Sequence, residues 1–179
     1  EEKCLLENSP GWLGEIIIFS LNTGLRLGEL ISLEWSRVDI DKKTIFIDKT
    51  KNGDRKTIPL NKNALKVINS LSKVRNIKND YVFLNRRSGK INPVSLSVAF
   101  RRSLEKAKIT NFRFHDLRHC FATRMAQKGI DLYMISKLLG HKNIKMTQRY
   151  AHHCPESLRS GVDALDSDYI STTVGKIAL

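Results

Sequence analysis

Between residues 11 and 25 the apolar side chains fall at 13, 16, 17, 21 and 25, the spacing of one helical face. Gly24 and Gly28 interrupt the pattern, which predicts a turn near Thr23-Gly24 and a short second helix over 27–33. The period then changes. Residues 38–40, 44–47 and 56–60 are short and β-branched, and turn residues separate them. Asp41-Lys42-Lys43 and Asn52-Gly53-Asp54 are the connections, and Asn-Gly between such runs is a strong hairpin signal. Helical spacing resumes behind Asn61 to about Ser72. Tyr81–Leu84 is a short apolar stretch leading into a polar loop over 85–90. Residues 93–106 form a helix with proline near its start. Residues 115–128 form another, with Leu117, Phe121, Ala122 and Met125 on one face and Gly129 as its stop. Asp131 caps 132–139, which ends at Gly140. Shorter helices follow over 143–150 and from Pro155 to 165. The expected fold is mostly α with one small three-stranded antiparallel β-sheet, an α+β arrangement.

The chain has 179 residues, enough for one domain with a substantial core and no need of disulfide or metal staples. Its longest apolar runs, such as Ile16–Phe19, are four residues, far short of a membrane helix. The N-terminus, Glu1-Glu2-Lys3, lacks the basic start of a signal peptide. Three separated cysteines, Cys4, Cys120 and Cys154, with no CxxC, indicate a reduced, cytoplasmic protein. Charge narrows the choice of partner. The net charge is +13; residues 151–179 hold four acids against two bases, so the first 150 residues carry +15. The excess concentrates in 42–62 and 101–128, where bases alternate with structure-forming residues rather than forming a tail. A polyanion is the expected partner: nucleic acid, or an anionic lipid surface.

Several short constellations carry candidate chemistry. Arg26 and Glu29 are i,i+3 at a helix start; read alone, they are a surface ion pair worth about 0–1 kcal/mol. Lys51 sits at the edge of the Asn-Gly turn and alone reads as a solvated lysine. In His115-Asp116-Leu117-Arg118-His119, His115 and Arg118 share a helical face. The two histidines superficially match a zinc-protease HExxH. Asp is too short for that base, Arg118 opposes a cation, and no third ligand follows at a recognised spacing. Tyr150 stands among Arg149, His152 and His153, with His141 nine residues earlier. A tyrosine there can be a nucleophile if a base and cations assist it, since its ordinary pKa is about 10. Tyr81 and Tyr133 lie in apolar patterns and are expected in or half in the core, and Tyr169 lies in the acidic tail.

Five segments in order resemble the tyrosine recombinases, the phage-integrase type of site-specific recombinase. They are Thr23-Gly24-Leu25-Arg26-Leu27-Gly28-Glu29-Leu30, Thr50-Lys51-Asn52-Gly53, His115-Asp116-Leu117-Arg118-His119, Leu138-Leu139-Gly140-His141-Lys142 and Arg149-Tyr150-Ala151-His152. The resemblance runs from about residue 13 to 165. It implies the catalytic-domain fold of that family, with Arg26 and Arg118 as catalytic arginines, Lys51 as catalytic lysine and His115 and His141 as active-site histidines. It makes Tyr150 the nucleophile and Glu29 a supporting acid. Cys120 stands where the family more often has Thr, a position with no catalytic role. The implied reaction breaks and rejoins DNA through a 3′-phosphotyrosyl intermediate, with no ATP, metal or other cofactor. Within it His115 is a candidate acceptor for the tyrosine proton and Lys51 a donor to the departing 5′ oxygen. The expected partners are double-stranded DNA and further copies of the chain, four on the DNA, with no membrane. The expected setting is the bacterial or phage-infected cytoplasm, at the nucleoid. On this reading residues 1–165 are the catalytic domain and 166–179 a tail. Residues 157–165 could pass between protomers, and the family's N-terminal DNA-gripping domain lies outside this chain. The alternatives are a type IB topoisomerase-like relaxing activity, a non-catalytic DNA-binding relative, and, on charge alone, a membrane-surface binder.

Overall fold

The structure, a computed structural model, describes residues 1–48, 55–76, 78–85, 89–153 and 162–163. The Asn-Gly turn with Lys51, most of the segment from Pro155 to 165, and the tail lie outside the described residues. The chain opens with a short helix that apolar spacing does not announce, α1 (Glu2–Glu7), whose single buried side chain is Leu5. Next come α2 (Gly11–Thr23) and α3 (Leu27–Ile31). The expected turn is there: α2 stops at Gly24, whose φ of 63° ends it in the left-handed region. A Cβ at Gly24 would lie 2.5 Å from the Phe121 ring, so only glycine fits. The second helix ends two residues before the expected Leu33.

Strands β1 (Val38–Asp39), β2 (Thr44–Ile47) and β3 (Lys56–Pro59) form the expected antiparallel sheet in the order β1-β2-β3. Ile45 pairs with Val38 on one side and Ile58 on the other. Ile45, Ile47 and Ile58 are buried while Phe46 and Thr57 face outward, the two-residue period of a half-covered sheet. Helix α4 (Lys62–Ser72) is capped by the Asn61 side chain, which accepts from the Ala64 amide at 2.9 Å. Helix α5 (Pro93–Lys106) has the expected bounds, with Asn92 accepting from the Val94 and Ser95 amides.

Helix α6 (Asp116–Gln127) is followed by Gly129 at a φ of 73°. Helix α7 (Leu132–Leu139) is capped by Asp131 and closed by Gly140 at a φ of 65°. Helix α8 (Lys145–Gln148) is a single turn, shorter than the expected 143–150. Tyr133 corrects an expectation: it lies on the outer face of α7, 57% exposed, with Lys137 Nζ over its ring at 5.0 Å. Tyr81 is half-buried, as expected, beneath Lys90 Nζ at 4.9 Å.

Helix α2 is the axis of the domain and packs on α4 and α6. It is buried almost all round, through Leu13, Ile16, Ile17, Phe19 and Leu21. One large core runs from Leu5 to Leu117 and takes in the inner face of the sheet. A second, smaller core gathers Phe121, Ala122, Ala126, Ile135, Leu139 and Tyr150. Helix α6 supplies Leu117 to the first and Phe121 to the second, so Arg118 lies at the seam between them.

Candidate active site

The site assembles where α2, α6 and α7 end or begin. Arg118 is 4% exposed, and its guanidinium donates to two backbone carbonyls. Nη1 reaches the Gly24 oxygen at 2.7 Å, and Nη2 reaches the Leu139 oxygen at 2.5 Å. Both acceptors sit at helix C-termini, where unpaired carbonyls and the negative end of the helix dipole favour a cation. The two left-handed glycines therefore do more than stop their helices: they leave those oxygens turned toward Arg118. Five N–H donors on a guanidinium less two leaves three. Burial, with Arg26 as a like-charged neighbour, pushes the Arg118 pKa down to about 10. It stays a cation at neutral pH, and an anion beside it would be strongly favoured.

Arg26 and Glu29 meet as their i,i+3 spacing requires, but not at the surface. Glu29 accepts from the Arg26 amide at 3.0 Å, from Arg26 Nη1 at 3.1 Å and from Lys56 Nζ at 2.9 Å. The Glu29 and Lys56 side chains are only 5% and 8% exposed, so the exposed-pair reading of Arg26 and Glu29 is corrected to a buried cluster. Burial alone would raise the Glu29 pKa; the charge and hydrogen bond of Lys56, then those of Arg26, overcome it and hold it below the ordinary 4.5. Burial pulls the Lys56 pKa down against the opposing attraction of Glu29, and Arg118 and Arg26 pull the same way as burial.

Lys56 is the residue that motif reading passes over. Its signal was available: in β3 the buried face is that of Ile58, and Lys56 lies two positions earlier on the same face. A lysine on the inner face of a strand needs a partner, and Glu29 is that partner.

The remaining groups line the seam from the C-terminal side. His141 follows Gly140, and its Nδ1 lies 2.9 Å from the hydroxyl of fully buried Thr147. Burial, then the charges of Arg118, Arg26 and Lys56, press the His141 pKa down to about 4. It is a neutral imidazole at physiological pH. Those same charges show that Arg26, Lys56, Arg118 and His141 share one electrostatic neighbourhood. Tyr150 is 5% exposed and belongs to the small core. Its hydroxyl oxygen lies 2.5 Å from His119 Nδ1. Burial raises the Tyr150 pKa, while Arg149 and Arg118 work the other way. His115 is the residue just before α6, without a side-chain capping bond, and stands edge-to-face with His119, their ring centroids 5.0 Å apart. Burial and then Arg118 lower the His115 pKa; burial, then His115 and Arg149, lower that of His119.

Five of the six expected catalytic residues, Arg26, His115, Arg118, His141 and Tyr150, and the supporting Glu29 thus fall in one region, while Lys51 lies outside the described residues. Lys56, His119 and Thr147 join them. Among the described residues no group of three or more His, Cys, Asp or Glu side chains is placed to hold a metal.

Known proteins share this fold. The profile of the phage integrase family matches residues 4–157. The integrase of Salmonella phage P22 is 32% identical over 180 residues, which cover 93% of this chain and 46% of that protein. The tyrosine recombinase XerA of Pyrococcus horikoshii is 30% identical over 151 residues, 83% of this chain and 53% of that one. The chain thus spans about half the length of the curated relatives it matches. Among solved structures, the XerA recombinase crystal structure superposes with a TM-score of 0.74 at 27% identity, over 96% of this chain and 61% of that one. The catalytic domain of bacteriophage HP1 integrase gives 0.69 at 27% identity, over 90% and 89%. The fold, the ordered motifs and the profile agree: this chain belongs to the phage integrase family, the tyrosine recombinases.

Proposed function

We propose that the protein is a site-specific DNA recombinase that cleaves and rejoins strands through a 3′-phosphotyrosyl intermediate. The observation that carries this reading is Arg118, a buried guanidinium fixed by two helix-end carbonyls and close enough to Tyr150 for each to bias the other's titration. A phosphodiester under attack gains negative charge on its nonbridging oxygens. Preorganised donors aimed at those oxygens lower the barrier without reorganising during the reaction. Arg118 and Arg26 are the clamp, since paired guanidinium donors suit phosphate oxygens. His141 adds a neutral donor in the tautomer whose Nδ1 accepts from the Thr147 hydroxyl and whose Nε2 carries the proton. Glu29 and Lys56 set the position of Arg26.

Tyr150 Oη attacks phosphorus and the 5′ oxygen departs. Lys51 supplies that oxygen's proton. The ester to Tyr150 conserves the bond energy, so a 5′-hydroxyl from a partner duplex can reverse the step without ATP. A cluster of cations completes the charge stabilisation with no call for a metal. The working assembly is a tetramer on DNA, with residues 157–165 exchanged between neighbours.

The test is covalent capture. A nicked duplex lets the short cleaved piece diffuse away and traps the tyrosyl ester. The intact protein is incubated with a pool of nicked duplexes with randomised cores, and adduct-forming sequences are recovered. Wild type is expected to give an adduct, and Tyr150→Phe none while still binding the recovered duplex. No adduct from folded wild-type protein overturns the proposal. Plasmid relaxation without sequence preference would instead favour a type IB topoisomerase activity.

A further inference from the structure

Of the two histidines on the first turns of α6, the resemblance points to His115 as the group that takes the tyrosine's proton. The atoms point elsewhere. His119 Nδ1 and Tyr150 Oη are 2.5 Å apart, whereas His115 meets the edge of the His119 ring. We propose that His119 is the general base of the cleavage step and removes the phenolic proton of Tyr150 as the nucleophile attacks. This rests on the recombinase reading and assigns a role within it.

Three features support the assignment beyond the short separation. First, α6 fixes the base. His119 is one residue past Arg118, whose guanidinium is tied to Gly24 and Leu139, so the helix cannot rotate without breaking those bonds. Second, the nucleophile is fixed as well. Tyr150 is packed in the small core with Phe121 and Leu139, so its hydroxyl is delivered to His119 by packing rather than by chance. Third, the imidazole is available in the right form. Its titratable and charged neighbours are His115, Asp116 and Arg118 from α6, His141 after α7, and Arg149 and Tyr150 after α8. Burial and the cationic members outweigh Asp116 and hold the ring neutral near pH 7, able to accept a proton. A base within 2.6–3.2 Å, or slightly closer, of the proton's oxygen meets the geometric requirement for general-base catalysis.

The step balances. The Tyr150 Oη–H bond breaks and the proton moves to His119 Nδ1. The Oη–P bond forms, the bond from phosphorus to the 5′ oxygen breaks, and that oxygen takes a proton from Lys51. In the rejoining step an incoming 5′-hydroxyl returns its proton to Lys51, and Tyr150 recovers its own from His119. His115, beside His119 but not on the hydroxyl, then shapes the base's basicity rather than serving as the base. Motif reading weighed His119 only as a metal ligand, because its link to Tyr150 crosses 31 residues and appears only in the fold.

The test separates a base from a hydrogen-bonding prop. Asparagine places an oxygen near the position of Nδ1, accepts from Tyr150 and cannot take a proton at these pH values. Single-turnover adduct formation by the intact protein on the recovered nicked duplex is expected to slow about 100-fold or more in His119→Asn and in His119→Ala. The wild-type rate is expected to fall on the acid side as His119 protonates, and the His119→Asn rate to stay flat from about pH 5 to 7. A duplex with a bridging 5′ sulfur, whose thiolate departs without a proton, is expected to rescue Lys51→Ala but not His119→Asn. Thermal melting and duplex binding confirm that both variants are folded. His119→Asn within threefold of wild type, His119→Ala faster than wild type, or rescue of His119→Asn by the sulfur substrate each overturns the proposal. A wild-type protein that forms no adduct at all is a different failure, that of the recombinase reading.

Discussion

The two cores meet at Arg118 and differ in what they carry. On the side of the large core stand Arg26 at the N-cap of α3, Glu29 on α3 and Lys56 on β3, joined by a buried ion cluster. On the side of the small core stand His119 on α6, His141 after α7 and Tyr150, a member of that core, with hydrogen bonds between imidazole nitrogens and hydroxyls. The charges proposed to clamp a phosphate sit on the broad side. The groups proposed to move a proton or change bonds sit on the slighter side. The difference follows from physics. A buried ammonium and carboxylate demand fixed partners in a well-packed frame.

The comparison is broken most severely at Glu29. Its carboxylate is the buried partner of Lys56 and also accepts twice from Arg26. Glu29→Ala strands a buried ammonium and is expected to cost about 3–5 kcal/mol of unfolding free energy in urea titration. Adding Lys56→Met removes the stranded charge and is expected to recover more than half of that loss. A loss below about 1 kcal/mol would mean that the cluster is solvated and the large core no stiffer than the small one.

Acid should separate the two sides next. The His141 pKa is pressed from its ordinary 6.5 to about 4, so the unfolded chain binds more protons than the folded one between those values. The stability contributed by keeping His141 neutral is complete above about pH 6.5 and is lost as pH falls toward 4. His115 and His119 shift in the same direction and add to the same window. Glu29 is also held below its ordinary value, so its contribution is complete above pH 4.5 and disappears only in stronger acid. Thermal melts from pH 7.5 to 3 are expected to show a first loss beginning near 6.5 and a second below 4.5. His141→Gln should shrink the first and leave the second. A single loss starting below 4.5 would show that the histidines titrate freely.

Much of this layout was readable in the chain. Residues 93–106, the Asn61 and Asp131 caps, Gly24 and Gly140 as stops, and three short strands were all visible, because each rests on local chemistry such as a cap, a turn residue or a side-chain period. What escaped depends on distance along the chain. Lys56 meets Glu29 across 27 residues, and His119 meets Tyr150 across 31. Neither pairing leaves a periodic trace, although Lys56 on the Ile58 face was a clue. Tyr133 misled because an apolar pattern in an eight-residue helix does not say which side is covered. The exposed-pair reading of Arg26 and Glu29 failed for a related reason: spacing reports that two charges meet, not what lies above them.

The smallest effect makes the finest test of whether the two cores open together. Asn61 and Asp131 do the same job on opposite sides. Asn61 caps α4 against the large core by accepting from Ala64 at 2.9 Å. Asp131 caps α7 against the small core by accepting from Tyr133 at 2.8 Å and Met134 at 3.3 Å. Alanine at either position is expected to cost about 1 kcal/mol, since the chemistry lost is alike. The consequences should differ in amide hydrogen exchange. The large core spans α2, α4 and the sheet, so Asn61→Ala lowers the stability of the whole domain, and slow amides of α2 and α7 alike should exchange about fivefold faster. The small core has six buried members and is tied to the rest largely through α6 and the two carbonyls on Arg118. Asp131→Ala should therefore speed exchange in α7 and α8 by a similar factor and leave α2 unchanged. If α2 responds equally to both substitutions, the Tyr150 side is no looser than the Glu29 side. The contrast between the two cores would then be one of chemistry alone, without a difference in stability.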